Sequence, residues 1–514
     1  MDLTLNPSDR FNRRALLGLG GGIATAAVLT GCMNADLPGA STPGSRQLRV
    51  GASDEPQGLD PIANPQAAIA QVFLYNVYET LVKVDGEGKL RGLLASSWTI
   101  SEDRLTYRFT LRPGAVFASG TPLNAQAVVD SVEFLRKAKT QNPEVARAMP
   151  LIASVQAEGD GTVVFTLTKP SLMWLYDMSS TAGIIVDPAG RSTMADKPMG
   201  SGPYAFESHE VGTSITLRHN DAYWGTEPRI DTVTFRYFTD PNAMNSAMLS
   251  GELDVISNLA APQALSQFQD TNRFTVLEGD TPGEVVLGFN HKHPALAKKQ
   301  VRQAICHAID RQGLVNTVWG GKGKLIGSMV APFDPWFEDL SDTYSYDPAK
   351  AKQLLSEAGH ASGLTLKLRV PTLPYGPGAA TLITSQLKDV GITVTVEELD
   401  FSRWINEVFL GGKYDLTLVA HVEARDIVAW ANKDFYWHYD NAEFRKLISE
   451  ADQAPEAQAH DLMRQAAKVL ADDAAADFLF LLPSLVITTA KVTGIEKNAT
   501  SLSFDLTSAA MRPS

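Results

Sequence analysis

The side chains best suited to hold a ligand are concentrated in Lys413–Asp440. There a short apolar run, Leu416, Leu418 and Val419, gives way to His421, Glu423, Arg425, Asp426, Trp430, Phe435, Tyr436 and Trp437. Carboxylates and a guanidinium can grip the charged ends of a ligand through charge-assisted hydrogen bonds, and indole rings can stack on its apolar parts. An apolar strand that ends in charge and rings is how α/β proteins present a binding crevice. The plain alternative is a surface loop with half-buried aromatics. His421 and Glu423 alternate on one strand face, a placement compatible with a metal, although no metal or cofactor is expected.

Other arrangements fail on context. Gly320–Lys324 is glycine- and lysine-rich like a phosphate loop, but it follows a helical pattern and lacks the Ser or Thr. His291 and His293 have no third ligand nearby in sequence. Cys306 lies beside the buried stripe of a helix, which suits an inert core thiol. Neither a Gly-x-Ser-x-Gly elbow nor a His-Glu-x-x-His helix is present, so a secreted hydrolase would have no residues to carry its chemistry.

These residues need a large scaffold. A chain of 514 residues exceeds the roughly 250–300 at which one core stops growing, which implies at least two domains. A net charge of −13 with no long basic run argues against nucleic acid as a partner. Two cysteines cannot build a disulfide framework. At the N-terminus, Arg10, Arg13 and Arg14 precede an apolar stretch, Ala15–Leu29, that is short for a membrane span and ends in Leu29-Thr30-Gly31-Cys32. This is the pattern of an export signal. Asn34–Gln47, rich in Pro, Gly, Ser and Ala, suits a flexible tether.

Leu48–Gly51 opens the folded part as a strand, and helical spacing runs from Ala67 to Leu81. Leu90–Pro188 has its own strands and a helix with Asn124 as N-cap. Asp347 and Pro348 start a helix that Gly359 ends. Leu364–Val370, Ile392–Glu397 and Tyr414–Ala420 are expected strands with helices between them, the alternation of a parallel sheet. Phe401–Phe409 is one of those helices, and a last helix over Pro455–Ala471 precedes the strand Phe478–Leu482.

The order of short motifs resembles the solute-binding proteins of peptide-type ABC transporters, the dipeptide/oligopeptide-binding family (bacterial extracellular solute-binding proteins, family 5). The matching stretches include Glu55-Pro56…Leu59-Asp60-Pro61, Tyr78-Glu79-Thr80-Leu81, Gly202-Pro203-Tyr204, Asp221–Gly225, Gly251-Glu252-Leu253-Asp254, Val301–Ile305 with Ala308–Arg311, and Tyr346–Ala351. The N-terminal Leu29–Cys32 resembles the lipobox of bacterial lipoproteins, in which Cys32 carries the lipid. Arg13-Arg14 partly resembles a twin-arginine export signal.

The resemblance implies a two-lobed α/β fold of the type II periplasmic-binding-protein kind that closes on its ligand by a hinge. Residues 1–31 are then the signal and 32–47 the tether. Segments 48–89, 189–283 and 477–514 form a discontinuous first lobe, 90–188 an extra domain of that lobe, and 284–476 the second lobe. It implies a lipid-anchored, extracytoplasmic, monomeric receptor that hands short peptides to ABC permease subunits. A sugar oligomer, a nickel chelate or haem is the alternative cargo. The family's ammonium-binding acid falls near Ala424, flanked by Glu423 and Asp426, either of which can take that role. Arg425 can meet a ligand carboxylate or neutralise its neighbours. Trp404 matches a pocket-lining aromatic, with core packing as the alternative, and Trp430 and Trp437 are further stacking candidates. Ser53, Asp54 and Glu55 lie on the loop that the family sets along its ligand, and Tyr204 and Asn290 are weaker candidates.

Overall fold

The computed structural model describes residues 46–140 and 142–512. The export signal, the lipid site at Cys32 and all but the last two residues of the expected tether lie outside the described residues.

A mixed sheet runs through the protein. In chain order its principal strands are β1 (Gln47–Ala52), β2 (Tyr204–Glu210), β3 (Ser214–His219), β4 (Thr232–Tyr237), β5 (Val255–Ile256), β6 (Phe274–Phe289), β7 (Leu364–Pro371), β8 (Ile392–Leu399), β9 (Leu416–His421) and β10 (Ala476–Thr489). Across the sheet they lie in the order β8-β7-β9-β6-β10-β5-β1-β4-β3-β2, and Lys324–Leu325 pairs with β10 beside this path. β7 is parallel to both β8 and β9, as the strand–helix alternation over that segment predicts.

The two long central strands join the halves of the sheet. Phe274–Asp280 of β6 pairs with Thr489–Pro483 of β10, and Glu284–Gly288 pairs with Leu481–Ala476. The ladder breaks between Asp280 and Glu284. Pro483 has no N–H to offer there. The Thr281 hydroxyl substitutes for the missing ladder bonds, donating to Leu482 O at 2.6 Å and accepting from Gly283 N at 2.9 Å.

Each half has its own apolar packing. Leu48, Val50, Ile215 and Phe235 belong to the first core. In the second half Leu416 and Leu418 of β9 face one cluster with Leu287 and Leu368. Val419 faces another with Val286 and Phe478. Both faces of β9 are therefore covered, which is why its sequence is a continuous apolar run. The architecture is a two-lobed α/β fold of the type II periplasmic-binding-protein kind.

Residues 90–188 hold a four-stranded antiparallel sheet, ordered Ala95–Ile100, Thr106–Leu111, Thr162–Leu167, Ile152–Glu158. The helix Ala125–Lys137 packs on it, with Asn124 Oδ1 accepting from Ala127 N at 3.0 Å. Val128 and Phe165 share one continuous cluster with Val50 and Phe235, so this segment is fused to the first core. Asp347 caps its helix through Lys350 N at 2.9 Å.

One helix is shorter than its periodicity predicts. Helical spacing runs from Ala67 to Leu81, but the helix ends at Phe73. Tyr75 turns left-handed at φ 64°, and its hydroxyl donates to Ser179 O at 2.6 Å. The Asn76 amide bridges to Phe504 O and Leu506 N. Tertiary hydrogen bonds thus override helical propensity.

Candidate ligand site at the end of the strand Leu416–His421

The chain leaves β9 at His421 and turns at Arg425, whose φ of 62° is left-handed. Such a conformation costs a non-glycine residue on the order of 1–3 kcal/mol. Arg425 is held there by its neighbours: Nε lies 3.3 Å from Asp334 Oδ1, and the guanidinium stacks 3.8 Å above the Tyr176 ring and 5.0 Å from that of Trp336. Its charge is paired with Asp334, 91 positions away in the chain, and among the described residues it forms no ion pair with Glu423 or Asp426. Burial pushes the Asp334 carboxyl up to about 6, even with Arg425 opposing the shift.

The turn sends Asp426 back toward the strand. Asp426 Oδ2 lies 3.4 Å from His421 Nδ1, and His421 Nε2 meets the Tyr436 hydroxyl at 2.8 Å. Asp426 Oδ1 is buried without a hydrogen-bond partner. Glu284, directly across the ladder from His421, is 1% exposed and its Oε2 is also unpartnered. Burial raises the Asp426 carboxyl, with His421 opposing. Burial, then the Asp426 charge, raises that of Glu284 well above the usual range.

Glu423 faces outward from this cluster into a cavity between the halves. Val422, Glu423 and Ala424 line it from the second half, Glu144, Tyr176 and Asp177 from the first, and Pro282 from the crossover. Its free space of about 30 Å³ fits about two waters. A larger ligand does not fit the cavity in this arrangement. Asp177 is bound bidentately by Arg147, at 2.9 and 2.6 Å. Glu144 Oε2 is buried and unpartnered, and burial pushes its carboxyl up to about 7.

The remaining candidates lie elsewhere. Trp430 and Trp437 stack on each other at 3.7 Å, each 1% exposed in the second core. Trp404 is in the same cluster, donates to Thr417 Oγ1 at 3.0 Å and stacks on Phe401. These faces are occupied by protein, and none of the three indoles lines the cavity. Ser53 and Asp54 are exposed and bonded to each other at 3.0 Å. Glu55 takes His209 Nε2 and Gly212 N, both at 2.8 Å. Tyr204 is buried in the first core, and Asn290 donates to Tyr414 O. Cys306 is a fully buried thiol whose pKa burial raises.

Glu144, Tyr176, Asp177 and Glu284 were not singled out by sequence reasoning. For Glu284 a signal existed: an acid opening the apolar run Val285–Phe289. Glu144, Tyr176 and Asp177 are brought in by tertiary structure alone.

Two lobes about a crossover, with an acidic strand end facing an enclosed cavity, form the kind of concave interlobe site that solute-binding proteins use. The family model described as "Bacterial extracellular solute-binding proteins, family 5 Middle" matches residues 89–444, and the chain belongs to that family. It is a binding protein and not an enzyme. It is 29% identical over 469 residues, 84% of this chain and 88% of the relative, to the "probable D,D-dipeptide-binding periplasmic protein" of Escherichia coli K12. Among solved structures, the ABC transporter substrate-binding protein CtaP of Listeria monocytogenes matches with a TM-score of 0.81 at 23% identity, covering 91% of this chain and 100% of that one. NikA of Brucella suis in complex with Fe(III)-EDTA matches with a TM-score of 0.79 at 24% identity, with the same coverage. Among the described residues no helix is long and apolar enough to cross a membrane.

Proposed function

We propose that the chain is the receptor of an ABC importer, that it captures short peptides between its lobes, and that a lipid on Cys32 anchors it outside the cell membrane. The single observation that carries the peptide reading is the acidic strand end, Glu423 and Asp426, set beside a closable cavity with Asp426 Oδ1 buried and unpartnered. A peptide's α-ammonium supplies the donors that this carboxylate lacks. The relatives' names, among them a dipeptide-binding protein, support the same class of ligand.

In this reading segments 48–89, 189–283 and the C-terminal residues form one lobe, 90–188 extends it, and 284–476 forms the other. The irregular ladder at Thr281–Gly283 and Leu482–Pro483 serves as hinge, since missing ladder bonds lower the cost of bending there. The receptor acts as a monomer.

A metal chelate is the second reading. It is favoured by one observation: His421, Glu423 and Asp426 bring donor atoms within 4.8 Å of one another. Titration calorimetry with a di- to pentapeptide pool, and separately with Ni²⁺–histidine, tests both. Heat from peptides alone supports the first reading, and heat from the chelate alone replaces it with the second.

A further inference from the structure

Acidic groups around the cavity outnumber the basic ones. Arg147 lines it and is paired with Asp177, and Arg425, which stacks on the Tyr176 wall, is paired with Asp334. Four further carboxyl groups gather there with no Lys or Arg partner among the described residues. Glu423 and Glu144 line the same cavity from opposite lobes. Asp426 and Glu284 lie behind Glu423, and each has a buried oxygen with no hydrogen-bond partner. His421 is the basic group beside Asp426, whose side chain is 10% exposed.

One α-ammonium cannot satisfy this set. It brings a single charge and three donors, which Asp426 and Glu423 absorb. Glu284 and Glu144 remain: Glu284 is 1% exposed behind the strand end, and Glu144 lines the far wall with its Oε2 buried and unpartnered. Among the described residues that line the cavity, no arginine is left over to receive a ligand carboxylate. The site therefore discriminates by sign: positive groups are matched at both walls, and a negative group meets carboxyl groups with no basic partner.

We propose that the preferred ligand is a peptide whose first residue is Lys or Arg, its α-ammonium held by Asp426 and Glu423 and its side-chain cation by Glu144. This rests on the peptide reading above and specifies its substrate class. Glu144 is suited to the role because its helix, Pro143–Ala148, is pinned independently of the ligand. Asn142 Oδ1 accepts from Glu144 N at 2.9 Å and Val145 N at 3.3 Å. Burial lifts its carboxyl to about 7, so a cation placed beside it favours the charged form.

The test is titration calorimetry of the full chain at pH 7 with Lys-Ala-Ala, Ala-Ala-Ala and N-acetyl-Lys-Ala-Ala. Lys-Ala-Ala is expected to bind at least about tenfold more tightly than Ala-Ala-Ala, the size of one good charge-assisted contact. Glu144→Gln is expected to bring those two within about threefold while leaving the penalty of N-acetylation unchanged. Its melting temperature is read alongside, and Glu144→Asp, which keeps the charge, is expected to retain part of the preference. Equal affinities of the wild type for Lys-Ala-Ala and Ala-Ala-Ala overturn the inference and leave the peptide reading standing. Binding of neither peptide overturns the peptide reading and this inference with it. A Lys preference undiminished in a folded Glu144→Gln removes Glu144 from the role.

Discussion

His421 stands between two partners, with Nε2 2.8 Å from the Tyr436 hydroxyl and Nδ1 3.4 Å from Asp426 Oδ2. Tyr436 is fixed in the second core, so the imidazole is a rigid post and Asp426 is oriented by it. One carboxylate oxygen faces the ring and the other is left unpartnered. The acid is thus aimed before any ligand arrives, which lowers the entropic cost of binding.

Removing that aimed charge should be visible in ligands that differ only at the amine. Asp426→Asn is expected to weaken free-amine peptides by about 1.5–3 kcal/mol, the range for a hydrogen bond to a charged group. N-acetylated peptides should lose far less. Calorimetric affinities for such a pair decide it, and equal losses would take Asp426 out of the ammonium role.

Arg425 pairs with the buried Asp334 and lies near the Trp336 ring within its own half, and it stacks on the Tyr176 ring of the other half. Arg425→Ala leaves Asp334 buried and unpaired, at an expected cost of about 3–5 kcal/mol. The double variant Arg425→Met, Asp334→Asn should recover a good part of that loss. Urea denaturation of this double variant beside the single variants Arg425→Met and Asp334→Asn gives the comparison, and additive single effects would contradict the pairing.

Lobe closure should respond to contacts distant from the ligand. Asp452 Oδ1 accepts from Leu172 N at 3.0 Å, and Arg104 donates to Ala454 O at 2.7 Å, both between the halves. Asp452→Ala should shift the free protein toward an open form and lower apparent affinity by roughly 1 kcal/mol, through the fraction of closed molecules. Small-angle scattering would show a larger radius of gyration without ligand. An unchanged radius would count against this account.

The stability of the closed form should fall as pH rises. Burial raises Glu144 from 4.5 to about 7, so between those values the folded state binds more protons than the unfolded one. Its contribution is complete below pH 4.5 and is lost as pH passes through about 7, a change of at most about 3 kcal/mol. Thermal melts of the ligand-free protein across this window should slope downward, and Glu144→Gln should flatten the slope. A variant as steep as the wild type would assign the protons elsewhere.

Much of the frame was legible because it rests on local rules. Asn124 and Asp347 cap helices through their own side chains, and the parallel strands β7, β8 and β9 follow from strand–helix alternation. The strand end at His421–Asp426 stood out for a similar reason, as an apolar run turning abruptly to charge. What was not legible depends on contacts between distant segments. Helical spacing past Phe73 cannot foresee that Tyr75 and Asn76 are held by Ser179 and Phe504. An indole's sequence neighbours do not say whether protein or ligand covers its face, and for Trp430 and Trp437 each covers the other. Glu144 and Glu423 are 279 positions apart, and only the closed fold brings them to one cavity.

The position of β10 has a consequence for how the protein is made. It lies between β6 and β5, so it alone links the four strands on one side to the five on the other. Yet it is the last of the ten to be synthesised. Until residues 476–489 emerge, β6 and β5 are open edges, each able to pair with a stray strand. The sheet is therefore finished from its middle, late, by a segment that must find two edges at once. A chain cut short before Ala476 should yield two half-sheets that aggregate rather than one smaller receptor.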